Sequence, residues 1–232
     1  LFIHVGPKVG VENFYKHLRS FGLMERTGVE LPSESGSKFW DEKDVGPTDL
    51  AVLSFGQRFE ITPLQLVTAV SAIANGGTLM KPMVVKSITD SHGNVVQNYD
   101  PIAVRQVISK ESSDKMLEYA ESVVSIGTGK GAQVAGYKIG GKTGTAEQGT
   151  GDDNYIASFI GIAPAYNPEI VVLVTLHNPG DKNRRQGGQV GAPTAKKIMS
   201  DVLDYLQIPK DYDNEGTAQE GIKIPDVRTK TI

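Results

Sequence analysis

The composition of this chain excludes several functions before any motif is considered. Its 232 residues, 39% of them hydrophobic, are enough for a substantial core, so disorder throughout is excluded. The 24 basic and 27 acidic residues are mixed along the sequence and give a net charge of -3, which leaves no basic stripe and predicts no nucleic-acid partner. Without cysteine there is neither a disulfide nor a thiolate metal site, and no apolar run approaches the ~18 residues of a membrane span.

The first third of the sequence predicts two helices and a long loop between them. Apolar residues recur at helical spacing from Val11 to Phe21, before a glycine that suits a helix end. Residues 26–43 are rich in Gly, Ser, Pro and charge, and predict a loop anchored by Trp40, the only tryptophan. Thr62 and Gln65 form a capping box around Pro63, and this pattern predicts a helix that continues to Ala74.

The rest of the chain predicts an α+β arrangement. The strands predicted from Val84 to Thr89 and from Val95 to Tyr99 form a hairpin, and a helix carrying Met116 and Leu117 follows before Gly127. Three strands of an antiparallel meander and a closing helix come next. The strands are predicted at Val134 to Thr145, Tyr155 to Ala163 and Ile170 to Leu176. The helix is predicted at Pro193 to Leu206, with Ile198, Met199 and Leu206 facing the core.

One glycine-rich segment satisfies two motifs with different chemistry. Gly136, Gly141, Lys142 and Thr143 match the phosphate-loop pattern G-x-x-x-x-G-K-[ST], while Lys142 to Thr145 match the K-T-G element of penicillin-recognising enzymes. A phosphate loop must open a helix, because the anion binds the free N–H groups at the helix N-terminus. The residues after Thr143 contain three glycines and no apolar periodicity, so the sequence predicts no helix there. A glycine-rich hairpin edge without chemistry is the remaining alternative.

Further blocks of sequence resemble the transpeptidase domain of class B penicillin-binding proteins, in that family's order. These blocks are Phe55 to Gln65, Ala74 to Gly77, Lys81-Pro82, Gly127 to Ala132, Lys142 to Ala146 and Ala157 to Pro164. The resemblance implies the fold of penicillin-binding proteins and serine β-lactamases, an antiparallel sheet flanked by helices. We expect residues 1–206 to be the C-terminal part of that domain. Residues 207–232 are expected to be a linker, with Ile224 to Arg228 similar to the opening of a PASTA module.

The resemblance also implies roles for individual residues. Lys142 and Thr145 are expected to be catalytic, with the N–H of Thr145 as one oxyanion donor. Lys142, Thr143 and Thr145 are expected to bind the substrate carboxylate, and Gly144 to leave the strand edge bare for an added peptide strand. Gln57 and Thr128 match positions that line the cleft, although a buried amide and a helix-end hydroxyl explain them equally well.

The family's other two motifs, S-x-x-K and S-x-N, are not convincingly present. No S-x-N occurs in the sequence. Ser35-x-x-Lys38 falls in a loop, and Ser112-x-x-Lys115 is interpreted as helix capping with a solvent-facing lysine, so neither pair is assigned as nucleophile and base. The chain opens with Leu1-Phe2-Ile3-His4 and no Met, so we expect a fragment. Phe2 to Gly6 resemble residues that shortly follow S-x-N in the family, and the resemblance therefore implies that the nucleophile lies upstream.

No cofactor is expected, and no metal site is assigned. The four histidines show no ligand spacing, and a site shared by His4 and His177 is the single metal arrangement considered. The resemblance implies a peptidoglycan D,D-transpeptidase at the extracytoplasmic face of a bacterial membrane, anchored by an N-terminal helix outside this chain. Its partners would be D-Ala-D-Ala stem peptides, β-lactams, the upstream half of the protein and a cell-wall synthesis complex. A non-catalytic β-lactam or muropeptide sensor of the same fold is the alternative.

Overall fold

The computed structural model describes residues 2–147, 154–180 and 184–212, which belong to two compact units. The first unit is Leu1–Ser109 and the second is Lys110–Ile232. Each combines helices with antiparallel strands, which confirms the predicted α+β class. None of the helices in the described ranges is both long and apolar enough to cross a membrane.

The first unit consists of helices and two small sheets. The helices are α1 (Phe2–Val9), α2 (Val11–Ser20), α3 (Pro47–Leu53) and α4 (Pro63–Ala74). The strands are β1 (Thr78–Met80), β2 (Ser87–Thr89), β3 (Val95–Asn98) and β4 (Ala103–Gln106), paired antiparallel as β1 with β4 and β2 with β3. The predicted hairpin therefore forms, with shorter strands. The sequence prediction missed α1, α3 and the β1–β4 pair, because such short elements carry little periodicity.

The capping box that predicted α4 is present, and one of its residues has a second role. Thr62 Oγ1 accepts a hydrogen bond from the Gln65 N–H at 3.1 Å, and Gln65 Oε1 accepts one from the Thr62 N–H at 2.8 Å. The Gln65 amide also donates to the carbonyls of Leu23 and Glu25, at 3.3 and 2.7 Å. Gln65 is buried, and it joins the start of α4 to the segment after α2.

The loop of residues 26–43 forms as predicted, but its anchor is not Trp40. That indole is 47% exposed, whereas the neighbouring Phe39 stacks on Phe59 with ring centroids 5.0 Å apart. Neighbouring side chains of an extended segment point to opposite sides, so only one of the two aromatics can enter the core. The backbone carbonyl of Trp40 is held instead, since the hydroxyl of buried Tyr15 donates to it at 2.9 Å.

The second unit is a three-stranded antiparallel sheet with helices packed against it. Its elements are α5 (Lys110–Ser125), β5 (Gly140–Glu147), β6 (Tyr155–Ala163), β7 (Ile170–His177) and α6 (Gly187–Tyr205). Among the described residues the strand order is β5-β6-β7, which confirms the predicted meander and places β5 at an edge of this sheet. β5 begins at Gly140 and not at the predicted Val134. A 3-10 turn at Lys130–Ala132 and a non-strand segment precede it.

Helix α6 begins earlier than the sequence predicted, at Gly187 rather than Pro193. Its glycines have low helix propensity but allow close packing: a Cβ at Gly191 would lie 3.1 Å from the Cβ of Phe159 on β6. Met199 is buried as predicted, whereas Ile198 and Leu206 are 40% and 47% exposed, so their predicted core positions were wrong. On α5, Met116 is 45% exposed. The core positions near these residues belong to Met199 and Leu203 on α6 and to Leu117 on α5.

Residues 208–212 are bound to the segment that precedes β5. Asp211 donates its backbone N–H to the Gly136 carbonyl at 2.9 Å, and its side-chain Oδ2 accepts from the Lys138 N–H at 2.6 Å. The Tyr137 hydroxyl donates to the Ile208 carbonyl at 2.6 Å. The domain boundary expected after Leu206 stays a prediction, and the PASTA-like segment lies outside the described residues.

Candidate functional site

The Lys-Thr-Gly-Thr segment occupies the middle of the edge strand β5, with its side chains alternating between the two faces of the sheet. Thr145 lies on the face covered by α6, because its Oγ1 accepts a hydrogen bond from the first residue of that helix. Thr143 shares this face by the alternation of a strand. Lys142 and Gly144 lie on the opposite face with Gly140, which packs against Ala120 of α5.

Two of the predicted binding residues are in direct contact. The hydroxyl oxygens of Thr128 and Thr143 lie 3.0 Å apart, a hydrogen-bonding distance. Thr128 lies in the Gly127-Thr128-Gly129 turn that follows α5, so this bond ties the turn to the edge strand. The structure therefore brings Thr128 to the K-T-G segment, from a position 15 residues earlier in the chain.

Thr145 is an exposed residue whose hydroxyl oxygen already accepts one hydrogen bond. Its Oγ1 accepts a hydrogen bond from the backbone N–H of Gly187 at 3.2 Å. A hydroxyl has one proton and two lone pairs, so the proton of Thr145 is available to an outside acceptor. This arrangement suits the binding of a carboxylate.

Lys142 is exposed, and its ammonium is held near the strand edge by its own backbone. Nζ donates to the carbonyl oxygen of Thr143 at 2.7 Å. Within the described ranges, no carboxylate lies at salt-bridge distance from Lys142. Its positive charge is therefore not neutralised by an ion pair there, and an anionic group can approach it.

Two glycines of β5 stand where a side chain would meet the neighbouring strand. A Cβ at Gly144 would contact the hydroxyl of Ser158, the residue opposite it on β6. A Cβ at Gly141 would lie 2.7 Å from the Ile160 carbonyl oxygen and would overlap the Phe159 ring. Gly144 leaves the strand without a side chain beside Lys142 and Thr145, as the sequence analysis expected of a bare edge.

The phosphate-loop alternative is incompatible with the structure of this segment. Residues after Thr143 continue β5 as far as Glu147, so no helix N-terminus follows Thr143. A phosphate held by the K-T segment would lack the N–H groups of a helix start, on which that motif depends.

Gln57 lies in the first unit, in the segment after α3, and is half-buried. Its expected contribution to a cleft stays a prediction. His4 lies on α1 in the first unit and His177 at the end of β7 in the second. No group of three or more potential metal-ligating side chains occurs in the described part of the chain.

The two S-x-x-K pairs are engaged in other contacts. Lys38 forms an exposed salt bridge with Glu60 at 2.7 Å, and Lys115 forms one with Glu118 at the same distance. The hydrogen bond to Glu118 raises the pKa of Lys115, which is the opposite of what a general-base lysine needs. Ser112 is not the helix cap that the sequence indicated, since α5 already begins at Lys110.

Ser158 and Gly187 were not singled out as parts of the site by sequence reasoning. Pairing the two predicted strands in register would have placed Ser158 opposite Gly144. Gly187 carried no comparable signal, because a Gly-Gly pair after Gln186 is typical of a loop and not of a helix start packed on a strand.

The second unit also contains a cavity of about 370 Å³ away from the K-T-G segment. It lies between the C-terminal half of α5, the segment before β5, α6 and Tyr212. Two of its charged groups pair with each other, since Lys138 Nζ lies 3.7 Å from the buried carboxylate of Glu121. The cavity holds none of the residues that the sequence predicted for the site.

A helix-covered antiparallel sheet with Lys-Thr-Gly-Thr on its edge strand defines the penicillin-recognising class of proteins. The family model of the penicillin-binding protein transpeptidase domain matches residues 1–200, and the chain belongs to that family. Among curated proteins, it is 42% identical to stage V sporulation protein D of Bacillus subtilis over 97% of this chain. It is 35% identical to penicillin-binding protein PbpB of Mycolicibacterium smegmatis over 88% of this chain.

Solved structures of the same family share the fold. Penicillin-binding protein 3 from Mycobacterium tuberculosis, in complex with ampicillin, is 31% identical over 94% of this chain and 51% of its own, with a TM-score of 0.81. The transpeptidase domain of Burkholderia pseudomallei penicillin-binding protein 3 is 30% identical over 91% of this chain and 62% of its own, with a TM-score of 0.78. The chain spans only 36% and 34% of the length of the two curated relatives.

Proposed function

We propose that this chain is part of a peptidoglycan D,D-transpeptidase that cross-links stem peptides through a serine acyl-enzyme and is acylated by β-lactams. The observation that carries the proposal is the edge strand β5, which presents Lys142 and the hydroxyl of Thr145 beside a side-chain-free position at Gly144. A strand edge binds an extended peptide through its main chain, and a β-lactam mimics the same backbone. The complex of one solved relative with ampicillin supports this assignment.

In this proposal the terminal carboxylate of the stem peptide binds to Lys142, Thr143 and Thr145. The ammonium supplies charge, and the hydroxyls donate hydrogen bonds, which are stronger when the acceptor is charged. We call Lys142, Thr143 and Thr145 the carboxylate seat. Thr128 supports this seat through its hydrogen bond to Thr143, and Gln57 lines the cleft as the resemblance implies.

The chemistry requires a nucleophilic serine, which we assign to a part of the polypeptide outside this chain. Its hydroxyl oxygen attacks the carbonyl between the two D-Ala residues and its proton passes to a general base. The N–H of Thr145 and that of the serine itself stabilise the oxyanion. The C–N bond then breaks as the general base gives its proton to the departing D-Ala amine. An amine of a neighbouring strand attacks the acyl-serine ester, the C–O bond to the serine breaks, and the proton lost by the attacking amine returns to the serine oxygen. Lys142 places positive charge beside the proton-transfer groups and favours their deprotonated forms.

The cellular setting follows from the same proposal. Stem peptides lie outside the cytoplasmic membrane, so the protein would act at its extracytoplasmic face, held by an N-terminal membrane anchor. Its partners would be the upstream half of the same polypeptide and a complex for cell-wall synthesis.

Covalent labelling tests the proposal. The full-length polypeptide that contains this chain is incubated with benzylpenicillin, and its intact mass is measured. We expect one adduct for each polypeptide, and the absence of an adduct would contradict the enzyme assignment. A second assay supplies a D-Ala-D-Ala stem peptide and an amine acceptor. An adduct with β-lactam but no release of D-Ala would indicate the alternative, a sensor domain of the same fold.

A further inference from the structure

We propose that Gly187 is a positioning residue for the carboxylate seat. Its backbone N–H orients the hydroxyl of Thr145, and the absence of a side chain at residue 187 permits that contact. The inference rests on the proposed function, because it assigns a ligand carboxylate to Thr145.

The contact itself restricts the directions in which the proton of Thr145 can point. Gly187 is the first residue of α6, and its N–H donates to Thr145 Oγ1 at 3.2 Å. A backbone N–H can only donate, so Thr145 must be the acceptor in this bond. The hydroxyl proton is then left for an acceptor outside the strand. Without this contact, the hydroxyl of Thr145 would rotate among several orientations, each hydrogen-bonded to water. A ligand would then have to fix one orientation on binding, at a cost in entropy.

The need for glycine at residue 187 comes from the backbone around it. A Cβ at this position would overlap the carbonyl oxygen of Ser158 and would lie 2.5 Å from the carbonyl oxygen of Gly144. Both atoms belong to paired strands, β6 and β5, so neither can move aside without disturbing the sheet. Any side chain therefore moves the first turn of α6 away from Thr145 and lengthens the hydrogen bond.

The neighbouring glycines show that this close approach extends over the start of the helix. A Cβ at Gly188 would overlap the carbonyl oxygen of Thr128, and Gly191 packs against Phe159. Residues 187 and 191 press on the same strand, but only residue 187 donates to a hydroxyl of the site. Gly191 is therefore a matched control, because an alanine there strains the same helix one turn later without touching Thr145.

The test compares ligands with and without a carboxylate. The second-order rate constant of acylation is measured on the full-length polypeptide for benzylpenicillin and for its methyl ester. We expect Gly187→Ala to slow acylation by the free acid roughly 10-fold, the size of a lost hydrogen bond to a charged group. Acylation by the ester should change much less. Gly191→Ala should alter both rate constants to the same extent. Gly180→Ala, where no atom of the described residues lies within 4 Å of the added Cβ, should alter neither.

A double variant tests whether Gly187 acts through Thr145. Thr145→Val removes the hydroxyl, so adding Gly187→Ala to it should cause no further loss for the free acid. If the double variant instead loses rate by the product of the two single effects, the inference is overturned. It is also overturned if Gly187→Ala and Gly191→Ala change the ratio of the free-acid rate to the ester rate equally. If the wild-type polypeptide is not acylated at all, the proposed function fails instead.

A second measurement does not depend on the folding of a Gly187 variant. Hydrogen exchange of the Gly187 amide should be slowed in the wild type and in Thr145→Ser, which keeps the hydroxyl. It should be at least several-fold faster in Thr145→Val. Equal exchange in the two Thr145 variants would contradict the contact on which the inference depends.

Discussion

The hydroxyl oxygens of Thr128 and Thr143 lie 3.0 Å apart and join the turn after α5 to the edge strand β5. We predict that Thr128→Val lowers the free energy of unfolding by about 1 kcal/mol, the usual net contribution of one hydrogen bond. It should also slow acylation by benzylpenicillin roughly fivefold, because Thr143 loses its orientation. Urea unfolding and acylation kinetics measure the two effects. Thr128→Ser keeps the hydroxyl and should resemble the wild type. A loss in Thr128→Ser as large as that in Thr128→Val would contradict the assignment of the effect to the hydrogen bond.

Lys142 should affect the reaction without affecting stability. Its side chain is exposed and forms no salt bridge within the described ranges, so Lys142→Ala should change the free energy of unfolding by less than about 0.5 kcal/mol. Acylation by a β-lactam with a free carboxylate should slow by roughly 10-fold to 100-fold, because a charged hydrogen bond is lost. Lys196→Ala, at an exposed position of α6, is the control and should leave the rate unchanged. A normal rate in Lys142→Ala would remove this lysine from the carboxylate seat.

The two glycines of β5 should tolerate alanine to different degrees. Gly141→Ala should lower the free energy of unfolding by about 1–3 kcal/mol, because its Cβ meets the Ile160 backbone and the buried Phe159 ring. Gly144→Ala should cost less, because the atom in its way is the Ser158 hydroxyl, which can rotate. Denaturant unfolding of both variants measures the difference.

A compensating substitution checks that explanation. Ser158→Ala removes the hydroxyl that a Cβ at Gly144 would meet, so it should cancel most of the remaining cost of Gly144→Ala. The same substitution should give no relief to Gly141→Ala, whose obstacle is backbone. Equal rescue of both variants, or of neither, would contradict the contacts described for this strand.

Asp211 should make the stability of the second unit depend on pH. Burial raises the pKa of its carboxyl, although the Lys138 N–H that donates to it acts in the opposite direction. A raised pKa means that the folded state binds the proton more tightly than the unfolded chain. The stabilisation is then fully present below the ordinary pKa of about 3.9 and is lost as the pH rises through the raised pKa.

Two substitutions separate the charge of Asp211 from its hydrogen bond. Asp211→Asn keeps an acceptor for the Lys138 N–H without a charge, so its stability relative to the wild type should increase as the pH rises from 4 towards 7. Asp211→Ala leaves that N–H without its acceptor and should be about 1–3 kcal/mol less stable than Asp211→Asn at every pH. Thermal or urea unfolding at several pH values measures both. A wild-type minus Asp211→Asn difference that grows with pH would show that the pKa is lowered.

Local patterns predicted much of the fold. The Thr62–Gln65 capping box and the strand-like stretches of β6 and β7 depend on residues close in sequence, and all of them formed as expected. The predictions failed where packing overrides local preference. Phe39, and not the predicted Trp40, packs against the core, and α6 begins with glycines of low helix propensity.

The sequence by itself determined the family, the order of the three strands and the position of Lys142 to Thr145 on a strand and not at the start of a helix. The residues after Thr143 lack apolar helical periodicity as well as helix propensity, so two local signals together disfavour a helix there. Only the tertiary structure showed that Thr128 contacts Thr143 and that Gly187 contacts Thr145. These contacts join residues 15 and 42 positions apart, and their distances depend on how closely α6 and the turn after α5 approach the sheet. No local sequence pattern predicts how closely these elements approach. The backbones of α6 and the sheet can come this close only because the glycines between them carry no side chain.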